Sequence, residues 1–153
     1  MSDASTRSFE DFFTWAEPRL RAAFSASYGV DLGRECTAEA LAWAYEHWDR
    51  VGPMSHPIGY LYRVGQSRSR RLRRRVPAIV ERSTEPVADF EPNLAAALAA
   101  LPRRQRTAVT LVHGYGYTQV EVAELLDVKP SSVSTHVARG LAALRTKLGV
   151  DDV

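Results

Sequence analysis

Apolar positions recur along most of this chain at intervals of three and four residues, the period of an amphipathic helix. Strand-like alternation is scarce, and no Asn-Gly or Asp-Gly hairpin turn is present. The stretch "SFEDFFTWAEPRLRAAFSASYG" reads as one or two helices, with Pro18 a candidate start for the second. Gly29 and Gly33 punctuate the chain after it. "RECTAEALAWAYEHWDRVG" forms a strong amphipathic pattern ending near Gly52. "HPIGYLYRVGQSRSRRLRRR" forms another, with Pro57 at a first-turn position. The period is then lost in "VPAIVERSTEPVADFEPN", which holds three prolines and four acids and reads as a linker. The pattern predicts an all-α protein. Two small helical domains, residues 1–76 and 94–153, are joined by a flexible acidic linker over 77–93.

The second unit carries the most specific local signals. Pro102 is preset for a first helical turn, and Gly114 is a plausible end for that helix. Thr118 stands three residues before Glu121, the spacing of a capping box, which fixes a helix start at Gln119. Val122, Leu125 and Leu126 supply its apolar stripe, Asp127-Val128 a tight turn, and Pro130 opens the next helix. With Val133 at the centre of the buried face, Val137, Gly140, Leu141, Leu144 and Leu148 fall within about 80° of it at helical spacing. Ser131, Thr135, Ala138 and Arg139 fall on the far side, flanked by Ser132 and His136, with Lys129 beside the helix start. Small residues and hydroxyls at a helix N-terminus suit a DNA major groove. A solvated helix face carries the same residue types. The short turn, the capping box and the Pro-initiated helix before them favour DNA reading in a helix-turn-helix.

Charge sharpens the picture. The formal net charge is only +2, but residues 53–75 hold seven Arg and no acid, between two acidic stretches. Around Leu61 as the buried centre, Ile58, Gly65, Leu72 and Val76 cluster on one face. Arg63, Ser67, Arg70 and Arg74 line the opposite face, bordered by Gln66 and Arg73. Such a stripe can follow a phosphate backbone or merely solvate a surface. Tyr60 and Tyr62 precede it, and Trp43, Tyr45 and Trp48 lie on the preceding helix. Rings of this kind fill a core or, beside cations, stack on an unpaired base.

Enzyme chemistry finds no support. His47, His56, His113 and His136 show no ligand spacing with Cys36, so no metal or cofactor is expected. Phosphate-binding loops, dinucleotide fingerprints and nucleophile elbows are missing from the sequence. A lone Cys36 admits no internal disulfide, "MSDASTRSFEDFF" has no apolar signal core, and "LAAALAAL" is too short to span a bilayer. A cytoplasmic location without membrane insertion is the expectation.

With these motifs in place, the segment from Leu101 to Leu148 resembles region four of bacterial sigma factors of the extracytoplasmic-function group. The likeness lies in the "LP..QR" opening, the "A.LL" of the first motif helix and the "V...V.RGLAALR" tail. The first half resembles region two of the same group over "GRECTAEALAWAYEHWDRV" and "PIGYLYRVGQSRSRRLRR". The resemblance implies that Lys129, Ser131, Ser132, Thr135, His136 and Arg139 read the upstream promoter element. It implies that Tyr60, Arg63, Gln66, Ser67, Arg70 and Arg74 engage the melted downstream element, and that Glu35 and Glu39 dock on polymerase. Arg34 and Ala38 replace usual acidic and Gln residues of the docking motif, and Ser67 and Arg71 replace usual Asn and Asp. The implied partners are core RNA polymerase, promoter DNA and, as an optional third, an anti-sigma factor. Two other readings stand beside this one: a helix-turn-helix regulator acting without polymerase recruitment, and a sigma-like interaction protein that binds an anti-sigma partner.

Overall fold

A computed structural model of the chain describes residues 8–75 and 92–150. Every regular element among them is helical: α1 Phe9–Tyr28, α2 Val30–Glu46, α3 Trp48–Val51, α4 Pro57–Arg68, α5 Arg70–Arg75, α6 Pro92–Ala99, α7 Arg103–Val109, α8 Gln119–Leu126 and α9 Pro130–Leu148. A π-helical turn, Thr110–Gly114, prolongs α7. The expected linker lies outside the described residues except for Pro92 and Asn93, which belong to α6.

Three expected boundaries shift, each for a local reason. The first stretch is one helix, not two, and Pro18 lies inside it. Proline removes one helical N–H, which costs least where the freed carbonyl reaches water. Pro18 and Thr14, four residues before it, are both exposed, while Phe12, Ala16, Leu20, Ala23 and Phe24 carry the buried face across the break. The second stretch stops at Glu46. His47 takes φ −118°, ψ 33°, its Nδ1 lies 2.9 Å from the Trp43 carbonyl, and its ring stacks on Trp43 at 4.1 Å. The single turn α3 follows. The third helix, expected to run on through the arginines, is interrupted at Ser69 (φ −91°, ψ 3°). Ser69 is fully buried, and its hydroxyl has no hydrogen-bond partner among the described residues.

α1, α2 and α4 form the first unit. Gly65 permits their close approach: a Cβ there would overlap the Phe24 ring of α1 and stand 3.1 Å from the Cys36 carbonyl of α2. α7, α8 and α9 form the second, with α6 resting on α9 through a small cluster of Ala97, Leu101, Val109 and Leu144. The two units are packed together. One apolar cluster runs from Phe12, Phe24, Leu61 and Tyr62 through Ala108, Leu111 and Val122 to Val133 and Val137. Burial of such side chains is the main stabilising term, about 25 cal/mol per Å² of apolar surface.

Candidate nucleic-acid interface

The helix-turn-helix is built as its local chemistry requires. The Glu121 amide donates to the Thr118 hydroxyl at 3.1 Å, and the Thr118 amide donates to the Glu121 carboxylate at 3.0 Å. This satisfies two otherwise orphaned donors at the start of α8. The backbone bond from Thr118, then that with its hydroxyl, holds the Glu121 carboxyl below its usual range. Asp127 ends α8 in the left-handed region (φ 56°, ψ 51°), where a short polar side chain is tolerated. Pro130 occupies the first turn of α9, following Lys129.

On α9, Val133, Val137, Gly140 and Leu144 are buried, Leu141 is half-buried and Leu148 is exposed. Lys129, Ser131, Thr135 and Arg139 are exposed, and Ser132 and His136 are half-buried at the border. The six residues expected at the upstream element therefore lie along the cap and first half of one helix, four of them exposed and two at the border. The Thr135 hydroxyl donates to the Ser131 carbonyl at 3.0 Å, leaving its lone pairs outward as an acceptor. Burial, then the charges of Arg104 and Arg139, push the His136 imidazole below its usual value. Arg104 of α7 thus adds a cation next to α9. The "RRQR" run was its signal in the sequence, but only packing sets it beside His136.

The arginine stripe is less uniform. Ser67, Arg70 and Arg74 are exposed, Tyr60 is 36% exposed, and the break at Ser69 divides the stripe between α4 and α5. Gln66 is half-buried, and its amide donates to the Tyr28 hydroxyl at 2.9 Å. Arg63 reaches the second unit: its Nε lies 2.9 Å from the Asp127 carboxylate, and its Nη2 donates to the Asp127 carbonyl at 3.4 Å. Tyr60 lies against Trp43 at 5.6 Å, and the Arg50 guanidinium lies over Trp43 at 5.8 Å. Trp43 and Trp48 are half-buried and pack against the apolar cluster, and Tyr45 is largely exposed.

On α2, Glu35 is exposed, while Glu39 pairs with Arg68 at 3.2 Å. Beside them an apolar groove opens between α1 and α2, lined by Phe9, Phe13, Ala38, Leu41 and Tyr45 and rimmed by Arg34.

The sequence of residues 92–144 matches the family Sigma-70, region 4. The C-terminal unit is a sigma-70 region 4 domain. Two solved structures resemble the whole chain. One is the sigma factor RpoE in complex with the anti-sigma factor NepR from Bartonella quintana, with a TM-score of 0.61 at 20% identity over 94% of this chain and 98% of that one. The other is CnrH in complex with the cytosolic domain of CnrY, also with a TM-score of 0.61 at 20% identity, over 99% of this chain and 96% of that one. At that identity the likeness establishes the fold alone, the all-helical architecture shared with these two structures. No curated protein matches the chain in sequence. The sigma fold here has no helix, among the described residues, long and apolar enough to cross a membrane, and no cluster of groups suited to a metal ion.

Proposed function

We propose that this chain is a sigma-type transcription initiation factor that bridges core RNA polymerase and promoter DNA by binding rather than by catalysis. The observation that carries the reading is a sigma-70 region 4 domain whose second motif helix leaves Ser131, Thr135 and Arg139 open to a groove. In this reading Lys129, Ser131, Ser132, Thr135, His136 and Arg139 contact the upstream element. Tyr60, Arg63, Gln66, Ser67, Arg70 and Arg74 attend the melted downstream strand. Glu35 and Glu39, with the apolar groove beside them, receive polymerase. Such a factor works in the cytoplasm. The two solved relatives are complexes, with an anti-sigma factor and with a cytosolic domain of CnrY, which supports an antagonist of similar kind as a further partner.

Runoff transcription with purified core polymerase and genomic fragments tests this. Promoter-specific transcripts that require the chain are expected. Duplex binding without transcripts would select a stand-alone helix-turn-helix regulator, and protein binding alone would select a sigma-like interaction protein.

A further inference from the structure

α7 lies across α9 at Gly140. A Cβ there would meet the Val109 Cγ2 at 2.6 Å and the Gln105 Cβ and carbonyl oxygen at 3.4 Å. Gln105 and Val109, four positions apart, are therefore the face that α7 turns toward α9. The arginines around Gln105 divide about that face. At helical spacing Arg106 and Arg103 fall about 100° and 160° to one side of Gln105, with Thr107 just beyond them. α1 covers that side. Arg106 donates to the Ser27 carbonyl at 2.9 Å and Arg103 to the Tyr28 hydroxyl at 3.3 Å, and the Thr107 hydroxyl lies 3.1 Å from that of Ser27. Arg104 falls about 100° to the other side. It is exposed, and no hydrogen bond or ion pair holds it among the described residues.

The bare side of α7 leads to the DNA-reading end of α9. His136 stands one helical turn before Gly140. Burial first, then the nearby charges of Arg104 and Arg139, lower its imidazole. Two guanidiniums from different helices thus share the neighbourhood of His136, and neither is ion-paired among the described residues. We propose that Arg104, from outside the helix-turn-helix, binds a backbone phosphate of the duplex that α9 enters. The proposal rests on the reading of α9 as a DNA-binding helix and extends that surface onto α7. Like charges held close together repel, and a polyanion laid across them relieves the repulsion. The planar fork of a guanidinium takes two phosphate oxygens at once. Phosphate contacts position a protein on the duplex, whereas base edges specify sequence. Arg104 therefore sets the placement of α9 in the groove rather than its sequence preference.

The test is the affinity of the full chain for a fluorescein-labelled duplex of mixed sequence over a salt series, at about pH 8, where His136 is neutral. Arg104 is exposed and alanine is the best helix former, so Arg104→Ala keeps the fold. It is expected to lower affinity about fivefold at low salt, the scale of one exposed charge pair. The salt slope of log affinity should fall with it by about 0.9, the counterion release of one phosphate. Arg104→Lys retains the charge and is expected to retain the slope. Arg104→Ala made in a His136→Ala background is expected to lose the same amount, which separates a phosphate contact from an effect passed through His136. Arg145→Ala removes an equal charge from the last turn of α9 and is expected to leave the slope unchanged. A wild-type slope in Arg104→Ala, a loss that vanishes without His136, or an equal loss in Arg145→Ala would overturn the contact. Arg139→Ala decides the parent reading. If it keeps the wild-type slope, α9 does not enter the duplex and both fall; if it lowers the slope while Arg104→Ala does not, only the contact on α7 falls.

Discussion

The hydroxyls of Ser27 and Thr107 meet at 3.1 Å although 80 positions separate them in the sequence. Both are buried, and the Tyr62 phenol completes the group at 2.7 Å from Ser27. Ser27 also donates to the Ala23 carbonyl at 2.8 Å, so its oxygen is left to accept from Tyr62. A buried phenol without an acceptor costs more than a lost hydrogen bond. Ser27→Ala should therefore destabilise the chain by about 1–3 kcal/mol, whereas Tyr62→Phe should cost about 1 kcal/mol. Urea denaturation of the two variants would show equal losses if the Tyr62 hydroxyl found another partner.

Burial pushes the Tyr62 phenol up to about 12. The folded state thus holds this proton more tightly than the unfolded state. The associated stability is present below the ordinary phenol value of about 10 and is lost as pH rises toward 12. Absorbance at the phenolate band should show one tyrosine that resists ionisation at pH 10–11, and Tyr62→Phe should remove it.

Arg139 stands exposed on the outer side of α9, where no described side chain ion-pairs with it. Arg139→Ala should weaken binding of an upstream-element duplex by about 1–3 kcal/mol with helix content intact. Anisotropy titration at fixed salt checks this, and an unchanged affinity would remove Arg139 from the groove.

His136 is neutral near pH 7 because burial and the Arg104 and Arg139 charges lower its value. The folded form binds this proton less readily than the unfolded form, so the associated stability falls as pH drops below about 6.5. DNA phosphate acts in the opposite sense and favours the protonated ring. Duplex affinity at constant ionic strength should therefore rise from pH 7 to 5.5, and His136→Ala should flatten that rise. A rise that persists in the variant would place the responsible proton elsewhere.

Arg63, Arg70 and Arg74 are proposed phosphate contacts in the open polymerase complex. Each lost contact should reduce the salt slope of log affinity by about 0.7–0.9, so alanine at all three should flatten it by about two units. A wild-type slope, with wild-type reactivity of opened thymines toward permanganate, would mean that these arginines only solvate the surface. Leu61→Asp provides the contrast. It buries an unpaired charge at a fully enclosed position and should unfold the first unit.

The features legible in the sequence were those whose cause lies within a few residues. Thr118 and Glu121 cap one helix because their spacing alone brings hydroxyl, carboxylate and amides together. Val133, Val137, Gly140 and Leu144 face inward because the helical repeat stacks them, which in turn leaves Ser131, Thr135 and Arg139 outside. Helical class, the helix-turn-helix and the basic block follow from such local periodicity. The tertiary structure decided what depends on partners distant in the chain. Pro18 stays within one helix because the buried face on either side of it continues. The arginine helix breaks at Ser69, and no periodic signal marks that position. Arg106 and Thr107, three and four residues after Arg103, read with it as an ordinary helix face until α1 supplies Ser27 and Tyr28 as their partners. The stripe looked like a set of equal cations, because periodicity assigns a side chain to a face but cannot say what approaches that face. Folding brings Asp127 to Arg63 and the Tyr28 hydroxyl to Gln66, and so makes chemically similar positions unequal.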